Sequence, residues 1–152
     1  MEKKYIIRPI KVEDFTDLIK WWEHYEHVEV PESHLLPNHG LGGLVVEKEG
    51  KVLIASFMYL TNSSMGYLDH LISDPDYKGK DKYQMIWDLQ EACTKSLLRQ
   101  GCKMIWAMTS YNGLAQMAEK QGHDVLDEKY HIIYTHHSVH DKLIKQEENG
   151  KK

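Results

Sequence analysis

The stretch that most restricts the fold runs from Gly66 to Met108. A β-prone segment, Gly66 to Ile72, enters the loop "SDPDYKGKDKY" (73–83), and a long amphipathic helix follows with Ile86, Leu89, Cys93 and Leu97 along one stripe. Arg99 sits in the last turn of that helix and Gly101 supplies the stop. "KMIWAM" (103–108) then reads as a buried strand, because its apolar run is nearly continuous. Strand, crossover helix and strand in this order predict two parallel neighbours, Tyr67–Ile72 and Lys103–Met108. A strand that feeds a basic, glycine-containing loop opening a helix is also the usual arrangement for holding a phosphate.

The flanking segments add to that unit. Tyr5 to Ile10 is a short β-prone run in which Pro9 suggests an edge. From Glu13 the pattern turns helical, with Phe15, Leu18, Ile19 and Trp22 at i, i+3, i+4 and i+7. Residues 23–42 read as irregular. Gly43–Lys48 and Lys51–Leu60 form a hairpin through Glu49-Gly50, and the turn Asn62-Ser63-Ser64 leads into the strand before the loop. On that strand a regular alternation puts Leu68, His70 and Ile72 on one face and Tyr67, Asp69 and Leu71 on the other. "NGLAQMAEKQG" (112–122) is a shorter helix and "YHIIYTH" (130–136) a final strand. The order β-α-(irregular)-β-β-β-loop-α-β-α-β predicts an α/β (α+β) fold, a mixed, mostly antiparallel sheet flanked by helices. Residues 1–137 make one domain, and the polar residues 138–152 are expected to be a disordered tail.

Composition narrows the function classes. With 152 residues the chain is about one domain, and a net charge of −4 gives no general pull toward nucleic acid or an anionic membrane. The lysine-rich loop lacks interleaved aromatics, which also speaks against nucleic acid. No apolar run approaches the roughly 20 residues of a membrane span, and MEKKYIIRPI lacks the apolar region of a signal peptide. Cys93 and Cys102 read as reduced thiols, so a cytoplasmic location is expected. Of the ten histidines, only His136, His137 and His140 cluster, with no cysteine or carboxylate at ligand spacing, and no metal site is expected.

Three stretches, "IIRPIKVEDFTDLIKW", "GYLDHLISDPDYKGK" and "SYNGLAQMAEKQGHDV", together resemble the GCN5-related N-acetyltransferase superfamily over residues 4–136. The resemblance implies acetyl-CoA as co-substrate, an amine acceptor on a small molecule or protein, and parallel central strands that splay to admit the pantetheine arm. It maps the family's pyrophosphate loop onto Lys78, Gly79, Lys80, Asp81, Lys82 and Tyr83. Leu71, Ile72 and Ser73 fall along the cofactor edge, with the Ile72 N–H assigned to the thioester carbonyl, and Asn112 is a further contact. Asp81 and Tyr83 stand where the family has glycines. Two unit charges ~4 Å apart repel by roughly 4 kcal/mol at an effective dielectric of 20, so Asp81 is tolerable beside a diphosphate if its side chain turns outward. Tyr83 brings bulk to the point of approach.

For the chemistry, the same resemblance points to Asp69 as the base, with His70 as the less favoured choice, since the alternation above lets at most one of them face a substrate. Tyr111 is the candidate acid, because the family's helical tyrosine is replaced by Ala118. Each residue has a plainer reading: Asp69 as a strand-capping acid, His70 as a structural histidine, Tyr111 as a helix-entry residue. Trp21 and Trp22 are candidates for a pocket wall, one in the core and the other partly exposed. The preferred function is an acetyl-CoA-dependent N-acetyltransferase; the alternative is an inactive protein of that fold serving as an interaction module. Homodimerisation is left open.

Overall fold

In the computed structural model the described residues are 4–26, 28–126 and 150. They form β1 (Ile6–Pro9), a 3-10 turn (Val12–Asp14) leading into α1 (Phe15–His24), two more 3-10 turns (Ser33–Leu35 and Pro37–Gly40), β2 (Gly43–Lys48), β3 (Lys51–Leu60), β4 (Met65–Ser73), α2 (Lys82–Arg99), β5 (Met104–Trp106) and α3 (Asn112–Lys120). The expected strand at 130–136, the tail beyond 138 and the histidine cluster lie outside the described residues.

The five strands lie in chain order, β1 to β4 as an antiparallel meander and β5 parallel to β4. The β2–β3 hairpin closes through Glu49 and Gly50, both at positive φ (52° and 76°), as a two-residue hairpin turn that follows the twist of its strands demands. Gly101 (φ 96°) ends α2 in the left-handed conformation that a residue with a Cβ adopts at a cost.

Two cores cover the two faces of the sheet. One gathers Leu18, Trp21 and Trp22 of α1 against Val45, Ala55, Phe57 and Ile72. The other sets Met85, Leu89, Cys93 and Leu97 of α2 against Val46, Ile54 and Leu68. Arg8 ties β1 to both neighbours, its guanidinium donating to Asp14 and Glu47. Burial raises and these hydrogen bonds from Arg8 and Lys11 lower the Asp14 carboxyl, which ends below its ordinary range.

Two expectations need correction. Trp21 and Trp22 are both buried, because Tyr25 and Leu36 of the irregular segment join the same core and cover the side of α1 left open by the sheet. The strand at 103–108 is only three residues long, and Met104, Trp106 and Met108 are exposed rather than buried.

Candidate functional site

The β4–β5 ladder has three pairs, ending at Tyr67↔Trp106. Past that pair β4 continues to Ser73 while β5 has already stopped. Among the described residues, then, the β4 edge from Leu68 to Ser73 faces a fork instead of a partner strand. The backbone groups along this edge suit an extended ligand that pairs as a strand would.

A bulge shapes the same strand. On β3 the register advances two residues, Ala55 to Phe57, while β4 advances three, from Ile72 back to Asp69. The extra residue goes with His70 at φ 54°, in the left-handed region that costs most residues free energy. A bulge reverses the alternation beyond it, and so the expected facing fails. Asp69 pairs with Phe57, the His70 ring lies against Trp22 and Phe57, and Ile72 belongs to that same core. Leu68 and Leu71 point to the other side. Asp69 and His70 therefore share the α1 face of the sheet, rather than occupying opposite faces.

The Asp69 carboxylate is held by two donors. Its Oδ1 accepts the His70 backbone N–H at 2.6 Å and its Oδ2 accepts the Tyr67 hydroxyl at 3.0 Å. Burial, and then the Asp69 charge, push the phenols of Tyr67 and Tyr59 up to about 12. Both rings stay neutral across the physiological range.

Ladder parity reassigns the backbone donor. Asp74 N–H donates to Leu53 C=O at 2.8 Å, so by alternation Ile72 also directs its N–H at β3, and Ser73 turns its own toward the fork.

The loop between β4 and α2 is filled by its own side chains. Asp81 turns inward: its Oδ2 receives Lys48 Nζ at 2.7 Å, and its Oδ1 accepts the Tyr77 hydroxyl. Lys48 also reaches the Tyr77 oxygen at 3.2 Å. A Cβ on Gly79 would overlap the Tyr77 hydroxyl and the Asp81 carboxylate, so the hollow beside this glycine is occupied by those two groups. The hydrogen bonds from Lys48 and Tyr77 hold the Asp81 carboxyl below its ordinary range, and the Asp81 contact raises Lys48 to about 12. Lys78 and Lys80 are exposed. Burial, then the charge of Lys78, lowers Lys82. Tyr83 does not enter the loop, because its ring lies along α2 beside Trp87, centroids 6.4 Å apart. The bulk at the point of approach is Tyr77.

Tyr111 caps α3 and is 70% exposed, and Asn112, the first residue of α3, is exposed as well. Sequence reasoning missed Lys48, Tyr77, Tyr59 and Trp106. Lys48 became visible only through the register, which brings the end of β2, the start of β3 and the end of β4 to one side of the sheet.

No protein-family model matches the chain, and no curated protein matches it in sequence. Solved structures do match. An aminoglycoside acetyltransferase from an uncultured soil metagenomic sample, in complex with sisomicin, superposes with a TM-score of 0.64 at 16% identity, covering 88% of this chain and 97% of its own. An acetyltransferase of Trypanosoma brucei gives 0.61 at 12%, covering 86% and 99%. Glucosamine-6-phosphate N-acetyltransferase from Arabidopsis thaliana gives 0.57 at 15%, covering 88% and 100%. At these identities the likeness establishes the fold, which is that of the GCN5-related N-acetyltransferases.

Proposed function

We propose that this chain is an N-acetyltransferase that takes its acetyl group from acetyl-CoA and gives it to a primary amine. The observation that carries the reading is the fork at Tyr67 and Trp106, with Asp69 two residues beyond it on the same strand. A pantetheine arm entering the fork would pair with the β4 edge, Leu71 to Ser73, and bring the thioester beside Asp69. Asp69, already holding two donors, accepts a proton from the ammonium and frees the nitrogen lone pair. The N–H of Ser73, rather than that of Ile72, then faces the thioester oxygen. The C–N bond forms as the C–S bond breaks; one amine proton leaves through Asp69 and the second goes to the departing thiolate. His70 supports this arrangement through its backbone N–H, which fixes the carboxylate. Exposed Tyr111 is the candidate relay for that second proton, giving its own to the thiolate and taking the one the amine nitrogen releases.

The loop fits a diphosphate only after rearrangement. Lys78, Lys80 and Lys82 offer charge, but Tyr77 and Asp81 occupy the hollow at Gly79. Weak binding follows, with a Kd on the order of 100 μM, roughly −5.5 kcal/mol. The alternative, an interaction module, draws its support from that same closure by Lys48, Tyr77 and Asp81.

Calorimetry with acetyl-CoA, combined with thiol release in the presence of a panel of primary amines, tests the choice. Binding with amine-dependent release of CoA is expected. Absence of binding at millimolar acetyl-CoA would sink the enzyme and leave the module.

A further inference from the structure

Aromatic rings cross the α1 face of the sheet in a continuous band. His70 stands edge-on to Trp22, and from its ring the centroid steps run 6.2 Å to Tyr59, 5.8 Å to Tyr67 and 4.9 Å to Trp106. Exposure rises along the band, from 1% at Trp22 to 42% at Trp106. Its open end is the Tyr67–Trp106 pair, the last pair before β4 and β5 part. Asp69 is fastened to the band by the Tyr67 hydroxyl. Each carboxylate oxygen has a second lone pair beyond the one already engaged, so Asp69 retains capacity for a ligand N–H.

We infer that this band is the acceptor subsite, and that it selects a small arylalkylamine: one ammonium, a short methylene link and a flat aromatic ring. The inference rests on the acetyl-transfer reading above and adds the substrate class to it. One carboxylate answers one ammonium, and ring faces attract that same cation. The ligand's own ring would lie offset against Tyr67 and Trp106, the geometry in which aromatic pairs are stable. A polyamine fits poorly, because among the described residues Asp69 is the carboxylate fastened to the band, and a second ammonium would lose water against aromatic carbon. An aliphatic amine of the same charge would keep the Asp69 contact and forgo the stacking.

The test uses the full chain, with phenethylamine, n-butylamine and spermidine as probes. Binding is measured by calorimetry without acetyl-CoA, and acetylation by thiol release with it. Phenethylamine is expected to bind about tenfold more tightly than either competitor, an offset of the size ring stacking supplies. Trp106→Ala should raise KM for phenethylamine by about five- to tenfold with kcat little changed, while Trp106→Phe restores most of the loss. Because Trp106 is partly exposed, neither substitution opens the core. Spermidine binding as well as phenethylamine, or a Trp106→Ala protein indistinguishable from the parent, overturns the inference. The two readings fail separately. Selective phenethylamine binding without acetylation keeps the subsite and removes the transferase, whereas acetylation of spermidine alone keeps the transferase and removes the subsite.

Discussion

At the β4/β5 fork the opening is made by the backbone: three ladder pairs, after which β5 stops and β4 runs on, with a bulge that turns Asp69 and His70 to one face. In the loop from Asp74 to Asp81 the backbone also bends around a hollow, but the Tyr77 hydroxyl and the Asp81 carboxylate occupy it, and Lys48 holds them there. The difference bears on what each region can become. Closing the fork would require β5 to gain residues and pairs; opening the loop requires only that side chains change rotamer and one ion pair part. If the loop holds a diphosphate as proposed, Asp81 already sits on Lys48 where a phosphate oxygen would bind, and the incoming group would meet a competitor and not a wall. On the acetyl-transfer reading proposed above, the amine half of the site would be preformed and the diphosphate half occupied by a removable internal anion.

The sharpest way to break this comparison is Asp69→Asn. It keeps the shape, because the amide oxygen can still accept the His70 N–H while the amide NH2 donates to the Tyr67 hydroxyl oxygen, but the group no longer takes a proton. Turnover should fall by about 10²- to 10⁴-fold, the usual worth of a positioned base, with acetyl-CoA affinity unchanged because the diphosphate is held elsewhere. Measuring kcat and Kd on the same preparation checks both. A loss of acetyl-CoA binding would show that the two halves are not separable. His70→Ala leaves the backbone N–H in place and should cost far less; full activity in Asp69→Asn with none in His70→Ala would reverse the roles.

Next in size is the loop. Tyr77→Ala combined with Asp81→Gly empties the hollow and removes the competitor, so acetyl-CoA should bind about tenfold more tightly, near 1.4 kcal/mol. Tyr83→Ala should change affinity little, since that ring lies along α2. Calorimetry on the parent and these variants separates the outcomes. If Tyr83→Ala tightens binding and the double variant does not, Tyr83 is the obstacle and the loop reading is wrong.

Legibility in the sequence followed the reach of the interactions. The β2 and β3 boundaries were readable because Glu49-Gly50 is a local turn signal between two β-rich runs, and α2 because its apolar stripe and Gly101 are local as well. The His70 bulge was not, since an extra residue in β4 is defined by its register with β3 and a left-handed histidine carries no signature. That one residue invalidated the alternation argument that had separated Asp69 from His70. Tyr77 was not legible for a related reason: it lies outside the positions aligned with glycines, and its partner Lys48 is 29 residues away. The expectation that one of Trp21 and Trp22 would be partly exposed failed because an irregular segment contributed Leu36 and Tyr25 to the core, and such segments leave no periodic trace.

The smallest expected effect concerns acid. The loop holds two carboxyls below their ordinary range. Burial raises Asp74, but Lys51 and the Asp76 N–H outweigh it, and Asp81 is lowered by Lys48 and Tyr77. For a depressed carboxyl the stabilising contribution is complete above the unfolded value of about 4, and is lost as pH falls through the lower folded value. Protonation of Asp81 also releases Lys48, so acid should open the loop before it disturbs the fork. Hydrogen exchange corrected for intrinsic rates would show this as lost protection at residues 74–82 below about pH 4, with β3 and β4 amides still protected. Asp81→Asn removes the titrating group while sparing its shape, and should flatten the pH dependence of loop protection without altering that of the strands. If β4 amides open together with the loop in the parent protein, the two regions are a single cooperative unit, and the diphosphate half cannot rearrange independently of the fork.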